Sequence, residues 1–253
     1  MRYLAILFIL LTGLSSAAAV EPPATAMVRK VVDGDTVVIE DGGEIRLVGI
    51  QAPKLPLGRR GFVAWPLAEE ARAALEKLVL GRRVDLSFGG RRIDRHGRWL
   101  AHLTDAEGRW VQGEMLAAGL ARVYTFADNR TRAADMLGLE AAARRERRGL
   151  WANPFYAILP ADRAGGHDDT YQLVEGLARK VAEVRGRTYV NFGEDHRSDF
   201  TAVIESPARR LFREAEADPA ALAGRRVRIR GWLKEWNGPM IEITHPEQIE
   251  VLE

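Results

Sequence analysis

The chain has 253 residues, 47% of them hydrophobic and 28% charged, which suits one large or two small folded domains and excludes wholesale disorder. It contains no cysteine, so disulfides, thiolate nucleophiles, Cys-ligated zinc and a lipid-modified cysteine are all excluded. The net charge of +2 conceals an asymmetry: residues 27–160 hold 22 Lys+Arg against 17 Asp+Glu, whereas residues 161–253 hold 14 against 17. The first part is therefore the one suited to a polyanion.

At the N-terminus one basic residue, Arg2, precedes an apolar run from Leu4 to Leu14 and a small-residue stretch, Ser15 to Ala19. This pattern predicts a secretory signal over residues 1–19, with an A-x-A-like cleavage site ending at Ala19. The run is shorter than the ~20 residues that span a bilayer. A secreted or periplasmic protein, free of the membrane after cleavage, is the expectation.

From there, Val28–Val32 and Thr36–Glu40 read as strands, and Glu44–Ile50 as a third beyond the Asp41-Gly42-Gly43 turn. Apolar residues at Leu67, Ala71, Ala74, Leu75, Leu78 and Val79 have helical spacing, and Gly81 stops the helix. Val84–Phe88 and Trp99–Thr104 return as strands. A short helix covers Val111–Ala118, and a longer one runs from about Thr131 to Arg148. This order predicts an α+β unit, a small β-barrel decorated by helices, over residues 20–158.

Leu159–Tyr171, rich in Gly, Asp and Pro and without hydrophobic period, reads as a linker, with His167-Asp168-Asp169 as polar spacer. Residues 172–253 then predict a second, OB-like barrel. Leu173–Val184 and Thr188–Phe192 form a hairpin, Phe200–Glu205 a third strand, and Ala208–Glu216 a helix. Arg226–Trp232 and Met240–Ile243 pair through an Asn237-Gly238 turn. Arg226, Arg228 and Arg230 alternate, so they share one strand face. With a local charge of −3, that stripe reads as a solvated face rather than a phosphate track, and Trp232, Trp236 and Tyr189 remain candidates for base stacking.

The candidate chemistry lies in three short stretches. Asp33-Gly34-Asp35-Thr36 sets two carboxylates about a tight turn, a pattern that can serve a hard cation but, taken alone, reads first as a plain hairpin or bulge turn. Arg46, followed by Gln51-Ala52-Pro53-Lys54, and Asp94-Arg95-His96-Gly97-Arg98 bring two separated arginines able to grip a phosphate. Arg59-Arg60, Arg82-Arg83 and Arg91-Arg92 are further basic pairs, each equally readable as solvated charge.

Together with Gly119-Leu120-Ala121, these stretches resemble the staphylococcal nuclease (thermonuclease) family over about residues 27–157. The resemblance implies a five-stranded OB-type barrel with three helices that hydrolyses phosphodiester bonds of DNA and RNA with calcium. Asp35 matches a metal carboxylate, and Arg46 and Arg98 match the two phosphate-binding, catalytic arginines. Arg95 and Tyr124 fall beside the nucleotide, although Tyr124 and Phe126 are one position out of register.

Two matches fail. Gln51 stands at the second metal carboxylate, and Lys54 stands where the family carries the glutamate that activates water. A neutral ligand lowers calcium affinity, and an ammonium is no general base, a loss of roughly 10²–10⁴ in rate. The expectation is a protein that binds phosphodiesters or nucleotides with hydrolysis attenuated or lost, calcium weakened or absent, and Lys54 supplying the missing positive charge. Two alternatives stay open: an active endonuclease using Glu44, Asp33 or Asp94, and a non-catalytic scaffold or protein-interaction module.

Overall fold

The computed structural model describes residues 22–195 and 197–252; the signal expected over residues 1–19 lies outside them. Among the described residues no helix is long and apolar enough to cross a membrane.

The first unit is a closed barrel. Its strands are β1 (Thr25–Asp33), β2 (Thr36–Ile39) and β3 (Glu44–Leu47), then β5 (Arg83–Ser87) and β6 (Trp99–Asp105), in the order β1-β2-β3-β6-β5. β3 and β6 run parallel, the others antiparallel. β1 pairs with both β2 and β5, and register shifts at Val28/Lys30 and Val31/Asp33 bend it enough to do so. Its inward residues Ala26, Val28 and Val31 join Val37, Ile45, Leu47 and Leu103 in the core. Helix α1 (Ala68–Val79) closes one end by burying Ala71, Leu75 and Val79, and it stops before Gly81, whose φ of 69° other residues rarely adopt.

The expected strand Glu44–Ile50 is in fact two. Gly49, at φ 83°, breaks it, and β4 (Gly49–Gln51) leaves the barrel to pair with a strand that carries no periodic signal, β7 (Arg122–Tyr124). Helices α2 (Val111–Ala117) and α3 (Ala133–Arg145) pack across this small sheet.

The second unit is a barrel-like sheet with the same strand logic. After β8 (Leu159–Pro160) come β9 (Tyr171–Leu177), β10 (Lys180–Val184), β11 (Arg187–Asn191) and β12 (Thr201–Ile204). Helix α4 (Arg209–Glu214), β13 (Arg226–Glu235), β14 (Pro239–Ile243) and β15 (Ile249–Leu252) follow. The path β10-β11-β12-β14-β13-β9 again contains one parallel pair, β12 with β14. Its ends are consecutive chain: the expected strand Leu173–Val184 breaks at Ala178–Arg179, and its two halves serve opposite ends of the sheet. The Asn237-Gly238 turn has both residues at positive φ and, with Trp236, forms a three-residue loop between the paired Glu235 and Pro239.

The segment expected as a free linker is stitched to this second sheet. Leu159 pairs in parallel with Val174, Ala164 joins the second core, and Thr170 exchanges backbone contact with Leu233.

The arginine stripe read as solvated is solvated only at Arg226; Arg228 is largely buried, and Arg230 reaches into the first unit. Arg230 is 1% exposed and forms a two-pronged pair with the buried Glu140 of α3, at 3.2 and 2.7 Å. Glu250 of β15 receives Arg230, Arg144 (2.9 Å) and Arg228 (3.0 Å), and Glu175 receives Arg228 and Arg226, each at 2.9 Å. Around this ladder the Tyr171 hydroxyl donates to the Val123 carbonyl (2.9 Å), Arg130 pairs with Glu247 (3.0 Å), and Thr125 meets His245 Nε2 (2.7 Å). Alternation in the sequence reports that the arginines share a face, not what covers it.

Candidate phosphate-binding site

The turn between β1 and β2 places Asp33 and Asp35. Gly34 is required there by packing: a Cβ would lie 2.6 Å from that of Ala52 and 2.7 Å from that of Ala71. Asp35 is fully buried, and one of its oxygens, Oδ2, accepts from Ala52 N at 2.7 Å and from Lys54 Nζ at 2.6 Å and is ion-paired with Arg46 Nη2 at 3.2 Å. Burial alone would raise its pKa, but Arg46 and Lys54, with the Ala52 N–H, outweigh burial and hold it well below the usual carboxylate range. Asp33, 3.7 Å from Lys54, is pushed up by burial and by its neighbour Asp35.

Arg46 is locked as well. Beyond Asp35, Nη1 donates to the Leu47 carbonyl (2.7 Å) and to that of Asp35 (3.3 Å), and Nη2 donates to the Ile50 carbonyl (2.7 Å). Three hydrogen bonds to backbone carbonyls and the ion pair with Asp35 thus hold most of the Arg46 guanidinium before any phosphate arrives. Arg98 is freer. It approaches Asp94 through Nε and Nη2, at 2.8 and 2.7 Å, and leaves Nη1 unspent. Asp94 also caps its own turn by accepting from the backbone of His96 and Arg98; these bonds overcome burial and lower its pKa.

A cleft of about 420 Å³ opens beside these side chains, lined among others by Arg46, Arg95, Arg98, Tyr124, Phe126 and Asn129. Four of the residues singled out from the sequence, Arg46, Arg95, Arg98 and Tyr124, thus share one wall system. Asp35 and Lys54 lie behind Arg46 and off that wall. Gln51 points away altogether: its carbonyl oxygen accepts from Arg122 Nη2 at 2.8 Å. Arg122 is buried with Tyr156 and Tyr171 facing its guanidinium at 5.5 and 5.2 Å, and burial lowers its pKa. Sequence reasoning missed Arg122, because its one signal is the pairing of β7 with β4 across 71 positions.

The donor set does not fit the calcium ion that the resemblance implied. The Asp35 oxygen has its lone pairs engaged, Gln51 offers its carbonyl elsewhere, and an ammonium stands where positive charge would bind. Among the described residues no three His, Asp or Glu side chains converge as a metal cluster would.

The first unit is an OB-type barrel with one parallel strand pair that carries an arginine-lined cleft, a lining suited to an anionic ligand. Comparison with known proteins makes this specific. The family described as staphylococcal nuclease homologue matches residues 44–153. Protein ParB of Escherichia coli is 35% identical over 158 residues, 56% of this chain and 81% of that protein. The thermonuclease of Staphylococcus hyicus is 26% identical over 133 residues, 51% of this chain and 76% of its own length. Endonuclease YncB of Bacillus subtilis is 28% identical over 132 residues, 50% and 61%. The chain belongs to the staphylococcal nuclease family through its first barrel, and the second barrel lies outside the family match.

Proposed function

We propose that this protein binds phosphodiesters of nucleic acid in the Arg98 cleft, and that the family's calcium-assisted hydrolysis is strongly attenuated or lost. One observation carries the reading: Lys54 Nζ lies 2.6 Å from Asp35 Oδ2, so an ammonium takes the place beside the buried carboxylate that a cation would need. The lysine neutralises Asp35 without supplying a Lewis acid, and no carboxylate follows Pro53 to activate water. Phosphate contact falls chiefly to Arg98 and Arg95, with Arg46, most of whose guanidinium is held by backbone carbonyls, contributing its charge. Action outside the cytoplasm belongs to the same proposal and rests on the pattern of residues 1–19; N-terminal sequencing of the mature protein tests it.

The test of function is cleavage of single-stranded DNA and RNA with calcium or with a chelator, using Arg98→Ala to expose contaminants. No cleavage is expected from the native chain. Gain of calcium-dependent cleavage in Gln51→Asp with Lys54→Glu completes the expected result. Calcium-dependent cleavage by the native chain, abolished by Arg98→Ala, overturns the proposal in favour of an active endonuclease.

A further inference from the structure

We infer that the second barrel adds a base-stacking subsite at Trp232, so that the cleft takes single-stranded nucleic acid of two or more nucleotides. The inference rests on the phosphodiester-binding reading of the cleft and extends it onto residues outside the family match.

Trp232 stands opposite Tyr171 in the β9–β13 ladder, at the edge where the two barrels meet. Its indole N–H donates to the Tyr124 hydroxyl at 2.9 Å, and Tyr124 lines the Arg98 cleft. Three edge-on or tilted ring contacts connect the group: Phe126 with Tyr124 and Tyr124 with Tyr171 at 4.8 Å, and Tyr171 with Trp232 at 6.2 Å. Phe126, Tyr124 and Trp232 thus form a row from the cleft mouth onto the second barrel, with the buried Tyr171 beneath it.

Trp232 nonetheless keeps 42% of its surface exposed, and Phe126 49%. The exposed part of the indole ring offers a flat apolar surface beside the cleft. Here its polar end is satisfied and its orientation fixed before any ligand arrives. Among the described residues its one ring contact is edge-on with Tyr171, and the exposed part of the indole is open to a stacking partner. Stacking on a preset ring loses little side-chain entropy, and every base offers a π-face, so the subsite is tolerant of sequence. Duplex bases are already stacked on each other, which restricts the site to single strands. The cations that would carry the backbone, Arg98, Arg95 and Arg91, lie at the cleft end of the same row.

The experiment is equilibrium binding of a labelled short oligodeoxythymidylate, its duplex with oligodeoxyadenylate, and thymidine monophosphate to the full chain. Trp232→Leu is expected to weaken the single-stranded oligomer about tenfold or more, with the mononucleotide and duplex unchanged. Trp232→Phe, which keeps a ring but loses the bond to Tyr124, is expected to stay near native. A second measurement needs no substitution: a 5-iodouracil-substituted oligomer is expected to photocrosslink to the Trp232 peptide. Native oligomer affinity in Trp232→Leu, or an equal loss for oligomer and mononucleotide, overturns the inference while the cleft reading stands. Absence of the crosslink also overturns it. Failure of the native chain to bind either ligand overturns both.

Discussion

The two barrels share a strand order and each presents a row of arginines, yet those arginines meet different partners. In the first barrel the cleft gathers Arg46, Arg91, Arg95 and Arg98 against only Asp94 and Asp128, so positive charge is left over at an open surface. On β13 of the second barrel Arg226, Arg228 and Arg230 meet Glu175, Glu250 and Glu140, and the face is covered by the first unit at its Arg230 end. Residue type is the same in both places. What separates a ligand-binding arginine from a structural one is the number of guanidinium donors left after the protein's own acceptors are counted. By that count Arg98 is the most available, Arg46 is largely held by backbone carbonyls, and Arg230 commits both terminal nitrogens to carboxylates and a carbonyl, its buried Nε having no partner among the described residues.

The largest way to break the comparison is Arg230→Ala. It leaves the fully buried Glu140 with only Arg144 (3.1 Å) and the Val123 N–H (2.7 Å) as partners and takes one partner from Glu250, so a loss of about 3 kcal/mol of unfolding free energy is expected. Arg230→Met with Glu140→Gln removes both charges yet keeps an acceptor for the Val123 N–H, and should recover much of that loss. Arg98→Ala, by contrast, should cost no more than about 1 kcal/mol, because its partner Asp94 keeps two backbone donors. Urea denaturation of the three variants decides; equal losses for Arg230→Ala and Arg98→Ala would erase the distinction between the two faces.

A smaller effect follows from protons. His245 is buried at the junction between Thr125 and Thr244, with Arg130 and Arg230 nearby; burial first, then those cations, lowers its pKa to about 4. His102, inside the first barrel, is lowered to about 4 by burial and Arg132. An unfolded histidine binds its proton near pH 6.5, so each folded histidine contributes stability above that value and loses it as pH falls towards 4. The full loss is up to about 3 kcal/mol per histidine. The depressed carboxylates Asp35, Asp94 and Glu250 act in the same direction but only below their ordinary range, which leaves pH 6.5 to about 5 to the histidines. His245→Gln is expected to halve the slope of unfolding free energy in that window. An unchanged slope would remove His245 from the account.

How far the sequence revealed these two faces depends on the range of the signal. Asp33 to Thr36, Gly81 and the Asn237-Gly238 turn are local patterns whose geometry follows from a few adjacent residues, and each forms as its chemistry demands. Arg46, Arg95, Arg98 and Tyr124 were found through spacing matched to a known family, and they line one cleft. Three things were hidden. The short strands Arg122–Tyr124, Leu159–Pro160 and Ile249–Leu252 lack enough residues for a period to show. The engagement of Gln51 by Arg122 and of Arg230 by Glu140 joins positions 71 and 90 apart, which no local pattern encodes. The β13 stripe was visible, but its covering depends on how two domains pack.

The stripe itself offers the finest test. Successive outward positions on β13 carry arginine side chains that are 58%, 12% and 1% exposed at Arg226, Arg228 and Arg230. Each meets a carboxylate at a similar distance or closer, so pair geometry alone would rank them together. Solvent screening ranks them apart: water competes for the Arg226–Glu175 pair, and Glu175 keeps Arg228 if Arg226 is removed. Arg226→Ala is therefore expected to cost about 0.5 kcal/mol or less, and less still in high salt. Urea titrations of the native chain and Arg226→Ala at low and high ionic strength measure it. A cost near that of Arg230→Ala would mean that the ladder acts as one cooperative unit, and that burial at each rung does not set its strength.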